Sequence, residues 1–217
     1  MQAYKIYFAD KKFIISFLSG LVLLSASLIV QFFVSDYVDS WASAPAADII
    51  LSNTRVYEVA AIFIWGAILL TIIATLVTLK RPNYAPFTMK SIAVFTLIRS
   101  IFISLTHIGP FPTQATIDSI FFTREAFSGI FIGNDLFFSG HTGIPFLLAL
   151  IFWENKILRI VFLSFSIMFA IIVLLGHLHY SIDVLSAFFI TYSIFHICKF
   201  LFEKDWQLFL KNNNEAL

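Results

Sequence analysis

The chain has 217 residues, of which 59% are hydrophobic and 12% charged, with a mean hydropathy of +0.90 and a net charge of +1. Soluble domains are about 45–50% apolar and about 25% charged, so this composition excludes a soluble fold and a disordered chain alike, and the near-neutral charge gives no footing for nucleic acid. A single cysteine, Cys198, excludes an intramolecular disulfide and a cysteine-based zinc site.

Apolar runs follow one another along the chain at 13–35, 59–79, about 91–108, 136–153, 160–182 and 184–198, the last extended by Phe200, Leu201 and Phe202. Only the third contains a charge, Arg99. A spanning helix needs roughly 20 apolar residues, because the hydrocarbon core is about 30 Å thick. The runs are continuous rather than alternating, which argues against a barrel. The expected fold is therefore all-α, one polytopic membrane domain over 1–217 with six transmembrane helices. The first run follows Lys11 and Lys12 as a signal peptide would. Its apolar core is longer than the usual stretch of about 7–15 residues, so it reads as a retained helix.

Basic residues set the orientation. With the N-terminus in the cytoplasm, eleven of them lie inside: Lys5, Lys11, Lys12, Lys80, Arg81, Lys90, Lys156, Arg159, Lys199, Lys204 and Lys211. Only Arg55 and Arg124 lie outside. Both termini are expected in the cytoplasm, with Asp36, Asp39, Asp48, Asp118 and Asp135 in the outer loops.

Ionisable residues within a membrane are expensive and point to chemistry. His107, His141, His177 and His179 all fall at the outer ends of the third to sixth helices, and Arg99 lies about 12 Å below that level at 1.5 Å per residue. The fourth and sixth helices present their N-termini to this layer, and such termini attract anions. Together these features suggest a phosphate-binding pocket facing the extracytoplasmic side.

Two segments carry the pattern. Phe138-Ser139-Gly140-His141-Thr142-Gly143 opens the fourth helix. There Gly140 permits close backbone approach, and Ser139 and Thr142 can cap the helix or donate to an oxyanion. Pro145 is expected in the first turn, where its missing N–H costs nothing. Taken alone, this segment is equally a plain helix cap with an interfacial histidine. The second segment, Gly176 to Asp183, places His179 and Asp183 at i, i+4 on one helical face. A carboxylate on one ring nitrogen fixes the tautomer and leaves the other free to attack. His177 points elsewhere if the segment is helical. Arg99 is either a phosphate ligand or a structural partner of Asp183 or Asp135. The segment 109–135, with Phe121, Phe122, Phe127, Phe131, Arg124 and Glu125, is either a lipid-guiding surface on the bilayer or a simple connector.

The Ser139-Gly140-His141-Thr142 block followed by His179-Tyr180-Ser181-Ile182-Asp183 resembles the paired motifs of the type 2 phosphatidic acid phosphatase superfamily. The likeness covers about residues 95–190. Within it the sphingomyelin synthase branch is the more similar, with Asp135 ahead of the first block, Val184 after the second, and Arg99, Thr106 and Pro110 approximating an earlier arginine helix. The resemblance implies a phosphohistidine mechanism with no metal or cofactor. His179 would attack phosphorus, Asp183 would orient it, and His141 would protonate the departing oxygen. Arg99, Asp135, Ser139, Gly140 and Thr142 would hold the substrate. The implied partners are a membrane phospholipid donor and a lipid alcohol or water as acceptor, with homo-oligomerisation left open. The phosphatase members carry Lys-x6-Arg-Pro and an arginine six residues before the nucleophile. Here Arg81-Pro82 remains, but positions 74 and 173 are Ala74 and Val173, which fits a phosphotransferase acting on a phosphodiester. Three other readings compete: a lipid phosphate phosphatase of the same superfamily, with water as acceptor; a metal-dependent hydrolase using His141, His177, His179 and Asp183; and a proton-coupled transporter.

Overall fold

The computed structural model describes residues 2–41, 43–115 and 136–211. Asp118, Arg124, Asp135 and the phenylalanines of 121–131 lie outside the described residues. The rest is helical: α1 (Gln2–Tyr7), α2 (Lys11–Trp41), α3 (Ala60–Lys80), α4 (Ala85–Thr106), α5 (Gly140–Ile151), α6 (Lys156–Leu175), α7 (Ser181–Leu201) and α8 (Glu203–Lys211). No strand occurs among the described residues, and the chain is a polytopic all-α membrane protein.

Among the described residues, five helices are long and apolar enough to cross a membrane: α2, α3, α4 with its preceding Pro82–Tyr84 turn, α6 and α7. The expected fourth span is a correction. Helix α5 has 12 residues, a rise of about 18 Å. Its shortness has a positional cause. Arg99 Nε donates to the Phe138 carbonyl at 2.8 Å, so α5 starts level with Arg99, seven residues or about 10 Å below the end of α4. The length of the helix and its offset below the end of α4 together come close to the hydrocarbon thickness of about 30 Å. Helix α5 is capped at one end by Ser139, whose hydroxyl accepts from Thr142 N, and leads at the other into a tight turn where Asn155 caps α6. Pro145 is the sixth helical residue rather than part of the first turn, and it removes the ladder bond to the His141 carbonyl. Asp36 and Asp39 belong to the last turns of α2, not to a loop.

The core lies where α5 is wrapped by α3, α4, α6 and α7. Phe95, Phe138, Leu147, Phe162, Phe169, Val173 and Ala187 are fully enclosed there. The exposed faces of α2, α3, α6 and α7 carry Ile, Leu, Val and Phe, as lipid contact requires. Helix α2 packs along α4, joined by Gln31, which accepts from Ser100 Oγ and donates to Ser35 Oγ, each at 3.0 Å. At the end away from His141 and His179, Lys90 Nζ meets Asp205 Oδ2 at 2.6 Å and Ser16 Oγ at 2.8 Å, and Ser16 also bonds Asp205. This buried group ties α2, α4 and α8 together and puts both terminal regions at one end of the bundle.

Candidate active site

The two sequence blocks meet in space. The peptide N–H of Ser139 donates to the Asp183 carbonyl at 3.1 Å, fixing the start of α5 against the start of α7. His141, the second residue of α5, lies against Phe63 of α3 with ring centroids 4.3 Å apart, and against Phe169 of α6 at 5.8 Å. Its ring is 6.4 Å from that of His179. His179 is 7% exposed and Asp183 wholly buried, with Nδ1 and Oδ2 3.4 Å apart. That is longer than a charge-assisted hydrogen bond of about 2.7–2.9 Å, a looseness common in sites without substrate. The same Asp183 oxygen accepts the Tyr180 N–H at 2.8 Å, which aims the carboxylate toward the imidazole. The i, i+4 contact forms although His179 precedes α7 rather than lying inside it.

Arg99 runs beneath the first turn of α5. A Cβ on Gly140 would stand 3.2 Å from Arg99 Nε and 3.5 Å from its Cζ, so any side chain there would make the guanidinium give way by a few tenths of an ångström. Arg99 Nε donates to Phe138 O, the carbonyl just before the cap. Ser139 and Thr142 are completely buried under that turn, and the Ser139 hydroxyl serves as the cap. His141, His179, Asp183, Arg99 and Gly140 are thus brought together, with Ser139 and Thr142 directly below.

The expectation of two helix N-termini facing an anion needs correction. The start of α7 is occupied by carboxylates: Tyr180 N–H goes to Asp183, and Ser181 N–H goes to Asp48 Oδ2 at 2.6 Å. At the start of α5 the Thr142 N–H goes to the Ser139 hydroxyl, not to a carboxylate. The charge environment around the histidines is therefore milder than two open helix ends would make it.

His177 is drawn away from the pair. It sits at φ 52°, buried, with Nδ1 2.6 Å from Thr113 Oγ1 and Nε2 3.3 Å from Thr54 Oγ1. Both ring nitrogens face threonines, not His141 or His179. Among the described residues, no three His, Cys, Asp or Glu side chains are placed to hold a metal ion. His107 ends α4 in the left-handed conformation at φ 45°, and its ring packs edge-on against Tyr37.

Sequence reasoning missed the segment between α2 and α3. Ser43 N–H donates to the His107 carbonyl, Pro45 bridges Gly109, and Ala46 N–H donates to Tyr180 Oη. Tyr180 Oη in turn donates to Gly109 O at 2.8 Å. Tyr57 N–H donates to Leu175 O. Gly109 is required here, because a Cβ would lie 2.1 Å from Ser43 O. Asp48 is 6% exposed and also accepts from Ile50 and Leu51 N–H. Burial pushes its carboxyl up, but the N–H groups of Ser181, Leu51 and Ile50 outweigh burial and hold it below its ordinary value of 3.8. The one local signal was an aspartate two and three residues ahead of N–H groups in a turn, a common aspartate capping pattern.

Residues 133–200 match the family model described as PAP2 superfamily C-terminal, a stretch that runs from just before α5 to the end of α7 and includes His141, His179 and Asp183. The match supports the type 2 phosphatidic acid phosphatase superfamily. For this stretch it supports, in general terms, a phosphatase or phosphotransferase acting on lipid phosphates. Comparison with curated proteins and with solved structures finds no match.

Proposed function

We propose that the protein is a membrane lipid phosphotransferase that moves a phospho-head group between lipids through a phosphohistidine on His179. The observation that carries the reading is the pairing of His179 with Asp183 at 3.4 Å, opposite a second imidazole whose ring centre is 6.4 Å away. That gap suits a phosphoryl group lying between a nucleophile and a proton donor.

With Asp183 on Nδ1, Nε2 of His179 attacks phosphorus. The N–P bond forms, the P–O bond to the departing lipid alcohol breaks, and His141 gives that oxygen its proton. A second alcohol, or water, then attacks. His141 takes its proton, the N–P bond breaks and the new P–O bond forms. Arg99 and the first-turn N–H groups of α5 meet charge on the phosphoryl oxygens. With the start of α7 held by two carboxylates, the pocket suits the single charge of a phosphodiester better than a phosphomonoester dianion. This favours a phospholipid donor with a phosphodiester head group and a lipid alcohol as acceptor, as in sphingomyelin synthase-like enzymes. The excess of basic residues at the opposite end orients the site to the extracytoplasmic face.

The test is mass spectrometry of lipids after incubating purified protein with mixed phospholipids, ceramide and diacylglycerol in excess EDTA, beside a His179→Ala sample. The expected outcome is a new head-group-bearing lipid in the wild type alone. Free phosphate or phospho-head group without a transferred lipid would make it a phosphatase or hydrolase. Turnover that is lost in EDTA and restored by zinc would overturn the phosphohistidine route.

A further inference from the structure

We infer that Asp48, on the segment between α2 and α3, is a positioning residue for the nucleophile, an inference that rests on the phosphohistidine reading of His179. Its carboxylate accepts on both sides. Oδ2 takes the Ser181 N–H at 2.6 Å, and Oδ1 takes the N–H groups of Ile50 at 2.8 Å and Leu51 at 3.1 Å. One side chain thereby clamps a turn of the 43–58 segment to the first residue of α7.

The clamp reaches His179 through one peptide unit. Asp48 fixes the N–H of Ser181, the neighbouring Tyr180 N–H points to Asp183 Oδ2, and that oxygen faces His179 Nδ1. Tyr180 is held from its other end by Ala46 and Gly109, so the peptide is gripped on both sides. Asp48 touches neither imidazole. Its effect is to hold Tyr180 and Asp183 in the register that aims the ring.

An isosteric change discriminates this role. Asparagine has one acceptor oxygen and one amide donor, so Asp48→Asn must turn its NH2 toward either Ser181 N–H or the Ile50 and Leu51 N–H groups, setting donor against donor. Ser181→Pro removes that bond from the opposite side, together with the Ser181 hydroxyl that also bonds Asp48. Proline is tolerated at the first position of a helix, and Tyr180, at φ −70° and ψ 156°, already has the backbone that precedes a proline comfortably. Ser52→Ala, exposed on the same turn, serves as the control.

The variants are compared with wild type in detergent for head-group transfer and for binding of orthovanadate, which mimics a five-coordinate phosphoryl transition state. Asp48→Asn and Ser181→Pro should each lower kcat about tenfold or more with KM within about twofold, and weaken vanadate binding by a similar factor. Ser52→Ala should match wild type. If both variants keep wild-type kcat and vanadate affinity while His179→Ala loses both, the inference falls and the phosphohistidine reading stands. If wild type neither turns over nor binds vanadate better than His179→Ala, the reading itself fails and takes the inference with it. A loss in Asp48→Asn alone, with Ser181→Pro unaffected, would assign Asp48 to the turn rather than to the nucleophile.

Discussion

Gly140 and Arg99 show how closely single atoms are accounted for in this site. Because a Cβ on Gly140 would stand 3.2 Å from Arg99 Nε, Gly140→Ala should displace the guanidinium by a few tenths of an ångström. The expected result is a several-fold fall in kcat/KM with little change in thermal stability, measured by lipid turnover and detergent melting. His141→Ala should lower kcat by about 10²- to 10⁴-fold, the range for loss of a proton-transfer group. Chemical quench should then show slow formation of the phosphorylated enzyme. Asp48 has a separate signature. Its carboxyl titrates lower in the folded chain than its ordinary 3.8, so its contribution to stability is complete above that pH and is lost as pH falls through the lower, folded value. Unfolding followed from neutral pH to below 3.8 should show an acid-induced loss in wild type that is smaller in Asp48→Asn. The imidazoles, Asp183 and Arg99 were legible from the sequence because charge at membrane depth is costly and seldom idle. Asp48 was not, because its meaning depends on Ser181, a contact across 133 positions that no local pattern encodes.

At the level of elements, the apolar runs located α2, α3, α4, α6 and α7 with ends at most seven residues out, because hydrocarbon thickness dictates their length. Helix α5 escaped that rule. Its apolar run includes residues 136–139, which form no helix and instead lead down to the cap at Ser139. Hydropathy sees only that these residues are apolar, whereas Arg99 and the cap decide where winding begins. Helix α8 was hidden for the converse reason, being polar outside and held through Asp205, Trp206 and Phe209. Its attachment is testable. Lys90→Met would leave the Asp205 carboxylate buried without its cation, a loss of about 3–5 kcal/mol for a buried pair broken on one side. The double variant Lys90→Met with Asp205→Leu should recover most of that stability, because two apolar side chains leave no orphaned charge. Melting of the two variants, beside Asp205→Leu alone, checks this by a double-mutant cycle.

Across the whole molecule, the histidine end and the basic end are opposite poles of one bundle, and the terminal helices share the basic pole. Cytoplasm-dependent reporters fused to either terminus should therefore be active, and a reporter inserted after Ser52 should be silent. Cys198 is fully buried, so single-cysteine labelling can check the same arrangement against a low background. The lacing of residues 43–58 has a consequence in time as well as in space. Its partners at 107–109 leave the ribosome 64 residues later, and its partners at 175–181 between 118 and 134 residues later. During synthesis the bonds of the first loop to 175–181 wait until α7 is threaded into the bilayer. The final fastening and the arrival of His179 and Asp183 are then one event, so a chain halted before Ser181 holds no reactive pair to act on the surrounding lipid. Two fragments divided at the exposed Trp153–Asn155 turn should likewise be inert apart and regain turnover when co-expressed, since that turn is remote from every strand of the lacing.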